Sequence, residues 1–328
     1  MSSVLITGGT GSLGNALVAR FLDGGTYERI IVYSRDEWKQ AQMAEALGVD
    51  ASPIGGRVRF FLGDVRDRER LKMAFHGVDV VVHCAALKRV DAIAYNPTEV
   101  MRTNVQGTHN VCLVAADSGV KRVVFISSDK GVEPTNIYGT SKQFGEHLTV
   151  AANVYGYPRG TRYACLRYGN VMGSRGSVIL MWRAALRAGM SLRLTSPLMT
   201  RFWITLAQAT QVVEWTLANM RGGEIVVPVL PAASLIDLAA AMNRGSKIEV
   251  IGPRPGGEKM DETLLSPEER TRLSMPDDGH YIVLPVPHTW TAEEPWPKWV
   301  PREDFEYTSR TARRLSVDEL KALLREIP

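Results

Sequence analysis

The sequence predicts a doubly wound α/β fold, a parallel sheet followed by a smaller C-terminal substrate-binding domain. Short β-branched apolar runs alternate with helical patterns through residue 169, a glycine-rich turn joins the first strand to the first helix, and the alternation breaks after Gly169. Strands are expected at Val4–Thr7, Arg29–Tyr33, Val58–Leu62, Val78–Cys84, Arg122–Ser127 and Tyr163–Tyr168. Helical patterns between them cover Ser12–Asp23, Asp36–Leu47, Arg66–Phe75 and Thr98–Ser118. Near-continuous apolar strands mean a sheet covered by helices on both faces.

Residues 170–200 and 228–328 hold more Pro, Gly and Trp, with helices expected at Val178–Ala188 and Ser316–Leu324, and read as the substrate domain. The apolar helix Leu206–Met220 is expected to pack back onto the first domain, so 201–227 belong with residues 1–169. The stretch Pro285–Arg302 has no period and reads as an irregular surface wrap.

The 328 residues are 45% hydrophobic and 23% charged, the balance of an ordinary globular protein. A formal charge of +4, with basic residues scattered, argues against nucleic acid or a membrane surface as partner. Cys84, Cys112 and Cys165 each sit in an apolar run, which favours buried free thiols over a disulfide or metal site. No long apolar stretch or signal peptide is visible, so a cytoplasmic location is expected.

The first strand runs into Gly8-Gly9-Thr10-Gly11-Ser12-Leu13-Gly14 and then a helix. This spacing lets the backbone turn tightly and approach a pyrophosphate at a helix N-terminus, the Rossmann dinucleotide cradle. At the end of the second strand, Ser34, Arg35 and Lys39 suit the 2′-phosphate of NADP, while Asp36 can cap the next helix. The alternative is a solvated Arg35 with NAD bound instead. Asp64 and Val65 after the third strand are placed to grip the adenine, and Ala85 and Ala86 after the fourth to run along the cofactor.

After the fifth strand come Ser128, Asp129 and Lys130, then Tyr138 and Lys142. Tyr and Lys four residues apart share a helix face, and a nearby ammonium favours the phenolate that a base requires. Lys142 can also bind the nicotinamide ribose, and Ser128 the hydroxyl being oxidised. A 4-epimerase needs only hydride transfer and rotation of a ketone. Losing water needs in addition an acid for the leaving hydroxyl and a base for the adjacent C–H, which Asp129 and Lys130 can provide. The alternative is a capping Asp followed by a surface Lys.

The cradle, the Ser and the Tyr/Lys pair together resemble the extended, sugar-nucleotide branch of the short-chain dehydrogenase/reductase superfamily. The strings YSRDE, GDVRD, HCAALKRV, NPTEVMRTN, SSDKGVEPTNIYGTSK, RYGNVMGSRGSV and MTRFWI narrow the likeness to the UDP-N-acetylglucosamine 4,6-dehydratase (5-inverting) family, weakening after about Leu265. The resemblance implies an NADP enzyme acting on a UDP-N-acetylhexosamine and assembling as a homo-oligomer, dimer to hexamer. Tyr138 would deprotonate the C4 hydroxyl with help from Lys142 and Ser128, Lys130 would take the C5 proton, and Asp129 would protonate the departing C6 hydroxyl. Tyr168 joins the cofactor residues. Substrate contacts fall to Lys88, Asn170, Arg175, Ser177, Thr195, Met199, Arg201 and Glu258, with the two arginines on the diphosphate and uridine.

Three positions depart from the family pattern. Ser128 replaces a commoner Thr, Gly131 replaces an Ala and is expected to loosen the catalytic loop, and Arg254-Pro-Gly-Gly-Glu258-Lys259 carries an extra glycine. The rival enzyme readings are a UDP-N-acetylhexosamine 4-epimerase and a bifunctional dehydratase/5-epimerase. The rival of another class is a non-catalytic NADP-binding sensor.

Overall fold

The computed structural model describes residues 2–49, 56–243, 245, 247–252, 257–277, 279–286 and 296–327. Six parallel strands follow the apolar runs: β1 (Ser3–Thr7), β2 (Arg29–Ser34), β3 (Val58–Leu62), β4 (Val80–His83), β5 (Arg122–Ile126) and β6 (Arg162–Leu166). They lie in the order β3-β2-β1-β4-β5-β6, the doubly wound arrangement. β1 is buried along its whole length, and separate apolar clusters cover the sheet: Val4, Ile6, Val82 and Leu166 in one, Leu5, Val81, Val123 and Tyr163 in the other. Alternate residues of one strand thus feed opposite layers.

Beyond β6 the sheet gains Ile225–Pro228 in parallel and then His280–Val283 and Leu273–Asp277 antiparallel. Strands Leu273–Asp277 and His280–Val283 therefore join the sheet of the first part of the chain, although the sequence places them in the substrate domain. Ile282, Val283 and Leu273 are buried in that sheet's core, but the strands are too short to show a period. Helix Leu206–Asn219 packs on helix Ser12–Asp23, its start fixed by reciprocal bonds between Thr205 and Gln208.

The helix expected at Thr98–Ser118 is interrupted. A wide π turn, Met101–Gln106, separates Pro97–Val100 from Gly107–Asp117. The turn points Asn104 inward, where it bonds both Leu87 backbone groups and Ser141 Oγ at 2.7–2.9 Å. Such turns often mark functional sites; here it ties the loop after β4 to helix Ile137–Ala151.

The smaller layer has its own core, built around Met172, Trp182, Leu194, Trp203, Leu238 and Leu320. A three-stranded sheet (Asn170–Val171, Thr200–Ile204, Ala232–Ser234) and the pair Leu192–Leu194 with Ile248–Val250 frame it. Ser316 and Glu319 cap the last helix, Val317–Arg325, reciprocally. Among the described residues no helix is long and apolar enough to cross a membrane. Cys112 and Cys165 are buried free thiols, while Cys84 is only half-buried.

Buried Arg167 joins the two parts of the chain. It pairs with Glu146 of helix Ile137–Ala151 at 2.7 Å and with Glu269 at 3.0 Å, and it donates to the Leu264 carbonyl at 2.8 Å. Removing one member of a buried ion cluster leaves the others uncompensated. Arg167→Met is therefore expected to lose about 3–5 kcal/mol in urea unfolding; a loss within the scatter of ordinary surface substitutions would show that the clamp is not structural.

Candidate active site

A cleft of about 2140 Å³ runs along the C-terminal ends of β1, β2, β4 and β5 and into the smaller layer. Crevices at these strand ends are where doubly wound folds bind ligands. Gly8, Thr10, Gly11, Ser12, Leu13 and Gly14 line its floor. Gly8 has φ +63°, and a Cβ there would lie 2.8 Å from Ala85 Cα; one at Gly14 would lie 2.4 Å from the Gly9 carbonyl oxygen. Gly11 precedes helix Ser12–Asp23 with no side chain capping its amides. Bare backbone donors at a helix N-terminus, reached through glycines that admit no side chain, fit a dinucleotide pyrophosphate.

Ser34, Arg35 and Lys39 also line the cleft, but each already has a partner. Gln40 donates to Ser34 Oγ at 2.9 Å, Arg35 lies 3.4 Å from Asp64, and Lys39 pairs with Asp36 at 2.6 Å. Asp36 caps the second helix as expected, accepting the Lys39 N–H. The Asp64 carboxylate does not line the cleft but turns to Arg66, at 2.7 Å, and Arg35. Burial raises its pKa, yet the Arg66 bonds and the Arg35 charge outweigh this and hold it below the ordinary carboxylate range. Val65, Ala85, Ala86 and Tyr168 reach the cleft. So does exposed Trp38, an aromatic side chain that no sequence motif marks.

Ser128 ends the run from β5 and caps a short turn, Asp129–Gly131. Asp129 is fully buried: its Oδ1 accepts from Ser128 Oγ at 2.7 Å and from Lys130 Nζ at 3.0 Å, and its Oδ2 has no hydrogen-bond partner. The carboxylate thus reaches the cleft only through its neighbours, whereas Ser128, Lys130 and Tyr138 line it directly. Lys130 Nζ also donates to Asn170 Oδ1 at 3.0 Å. The reading of this pair as a turn cap with a surface lysine does not match these contacts. Gly131 has little spare room, since a Cβ there would lie 3.3 Å from Lys142 Cβ. An alanine would press on helix Ile137–Ala151.

Burial pushes the Tyr138 phenol up to about 12, while Lys130 and a hydrogen bond with Ser128 pull it down. The cation expected to act on it was Lys142. That lysine instead donates to the Ile126 carbonyl at 2.6 Å and lies 4.6 Å from the Phe125 ring centre, so its charge faces the end of β5. Burial lowers Lys142 to about 8.

At the other end, Thr195 Oγ1 donates to Glu258 at 2.7 Å, and Arg201 lies 3.7 Å from Glu258. All three line the cleft with Lys88, Asn170 and Ser177. Ser177 Oγ is buried without a partner at the start of helix Val178–Arg187. Burial and the charges of Arg175 and Lys130 lower Lys88. Arg175 is not with Arg201. Its backbone N–H donates to Ser12 Oγ at 3.0 Å and its guanidinium to the Thr10 carbonyl, so it closes over the glycine turn. Met199 lies off the cleft, buried in the smaller core where its sulfur meets Arg201. Arg193, Lys247 and Glu249, unremarked in the sequence, also line this end. Residues 253–256, including the Arg254 and Gly256 of the departing motif, lie outside the described residues.

A lysine held near 8 in the folded chain and 10.5 when unfolded binds its proton less tightly when folded. Stability therefore rises with pH between those values, by up to about 3 kcal/mol. Urea unfolding at pH 8 and 10 is expected to show wild type gaining on Lys142→Met; a constant difference would refute the lowered value.

The sequence profile of a family described as polysaccharide biosynthesis protein matches residues 4–283. The UDP-N-acetylglucosamine 4,6-dehydratase (inverting) of Campylobacter jejuni subsp. jejuni serotype O:2 is 39% identical over 86% of this chain and 83% of its own length. The UDP-glucose 4-epimerase of Rickettsia prowazekii is 38% identical over 98% of this chain and 95% of its own. The X-ray structure of Pen from Bacillus thuringiensis has TM-score 0.87 and 33% identity, over 99% of this chain and 98% of that one. DesIV of Streptomyces venezuelae, a dTDP-glucose 4,6-dehydratase with NAD and TYD bound, has TM-score 0.67 and 26% identity over 78% and 86%. With a profile spanning most of its length and relatives at this identity, the chain belongs to the polysaccharide biosynthesis protein family, in the extended short-chain dehydrogenase/reductase superfamily.

Proposed function

We propose that this protein is an NADP-dependent UDP-N-acetylglucosamine 4,6-dehydratase that inverts C5. The observation that carries the reading is the Asp129–Lys130 pair, joined at 3.0 Å beside Tyr138 and Ser128. The glycine turn, Ala85, Tyr168 and Lys142 would hold a nicotinamide cofactor, which would supply reversible hydride chemistry between C4 and C6. Tyr138 accepts the C4 hydroxyl proton, with Ser128 orienting that hydroxyl and Lys142 turning from the Ile126 carbonyl to the cofactor ribose. The resulting ketone acidifies C5–H. Moving one proton from Lys130 Nζ to Asp129 Oδ1 converts the resting ion pair into a neutral amine and a carboxylic acid, with no change in total charge. The amine then takes the C5 proton as the acid protonates the C6 oxygen through the Ser128 hydroxyl that bonds it, water leaves, and the ion pair is restored. Return of a proton to C5 from the opposite face inverts that centre.

Asn170, bonded to Lys130, marks the sugar end of the cleft. Thr195, Arg201 and Glu258 fit the nucleotide end, and Lys88 with Arg175 fits the diphosphate between. The relative named as a 4-epimerase covers nearly the whole chain and keeps UDP-hexose 4-epimerisation as the second reading. That reaction leaves the Asp129–Lys130 pair without work. Ser128, Lys130, Tyr138 and Lys142 along one cleft, with Asp129 bonded behind Lys130, speak against a non-catalytic sensor.

Product formed from UDP-N-acetylglucosamine in deuterated water tests the proposal. A product lighter by one water, with deuterium at C5 and no net consumption of NADP⁺, is expected; the 4-epimer with C6 intact would establish the second reading. For the cofactor, Arg35→Ala is expected to weaken NADP binding about tenfold and leave NAD unchanged. Equal effects on both would mean that Arg35 does not meet a 2′-phosphate.

A further inference from the structure

Glu262 meets the same lysine from the C-terminal part of the chain. Its Oε1 lies 3.4 Å from Lys130 Nζ and 3.7 Å from Arg201 Nε, and its side chain is 4% exposed. Ser309 Oγ accepts its backbone N–H at 2.9 Å and also bonds Thr200, so two other segments fix its place. Glu262 Oε2 is buried with no hydrogen-bond partner. A buried carboxylate with one idle oxygen is costly to keep, and the dehydration scheme above gives it no task.

We propose that Glu262 is a positioning residue for Lys130, holding its ammonium within proton-transfer reach of Asp129 so that base and acid meet C5 and C6 in one arrangement. The inference rests on the reading that Lys130 and Asp129 carry out the elimination. A lysine has a flexible four-carbon stem and rotatable donors, so one partner does not fix its nitrogen. Asp129, Asn170 and Glu262 together define a point. The charges also balance: Asp129 and Glu262 face Lys130 and Arg201. The other titratable groups whose charge is felt here are Tyr138, Lys88 and Lys259. Burial pushes Lys130 down, but Asp129 and then Glu262 more than reverse this and keep it above the ordinary lysine value. Without the Glu262 charge, Lys130 faces Arg201, Lys88 and Lys259 with Asp129 alone, and its proton is held less tightly.

Single-turnover reactions of Glu262→Gln with UDP-N-acetylglucosamine separate the steps, with reduced cofactor reporting C4 oxidation and product mass reporting water loss. Oxidation is expected within about twofold of wild type, and water loss is expected to slow about tenfold or more. The pH dependence of water loss is expected to move to lower pH, and Glu262→Asp to recover part of the rate. Lys130 titration followed by NMR of carbon-labelled lysine in the substrate-free protein is expected to move the same way. Equal losses in both steps with a lowered melting temperature in both variants would make Glu262 structural and overturn the proposal. So would unchanged water loss with an unmoved titration. Lys130→Met run alongside tests the underlying reading: if it loses water at the wild-type rate, the acid–base assignment fails first and Glu262 has nothing to position.

Discussion

A carboxylate with no exposed surface, one residue from an ammonium that does reach the cleft, is the constraint on which this site depends. Burying either charge alone costs several kcal/mol, and the cost is offset only if the partner arrives in good geometry. Asp129 meets the condition through a tight turn: Ser128 caps it, the Asp129 N–H donates to the Tyr168 carbonyl at 3.0 Å, and Lys130 folds back onto the carboxylate. The same turn sets Ser128 beside Tyr138 and Lys130 beside Asn170. The proposed catalytic geometry and the solution of a burial problem are here one arrangement.

The fold exists to deliver that turn. β5 carries Ser128 to the sheet edge, helix Ile137–Ala151 presents Tyr138 and Lys142, and Asn104 in the π turn ties this helix to the loop after β4. Arg167 anchors the helix from behind through Glu146 and reaches Glu269 in the C-terminal part. Segments far apart in sequence are thus held to one wall. The glycine turn, whose close approaches exclude side chains, leaves the opposite wall open to a dinucleotide.

The six parallel strands, the glycine cradle and the cluster of Ser128, Lys130 and Tyr138 were legible because each is a local pattern. Strand period, turn chemistry and helix spacing need only a few neighbouring residues. Partners brought from elsewhere leave no such local signal. Nothing near Asp64 in sequence shows that Arg35 as well as Arg66 pairs with it, and nothing near Arg175 shows that it folds onto Thr10 and Ser12. Strands Leu273–Asp277 and His280–Val283 were too short to betray that they extend the main sheet. Glu262 lies in an aperiodic stretch, and only the contact with Lys130 makes it visible.

The central claim is that Asp129 and Lys130 divide water loss from hydride transfer. It is met most directly by a single turnover of Asp129→Asn with UDP-N-acetylglucosamine, following cofactor reduction and water loss together. The account predicts that C4 oxidation proceeds and the reaction then stalls, with reduced cofactor accumulating and the C6 hydroxyl retained. Water loss at the wild-type rate in that variant would contradict it and require another acid for the leaving group.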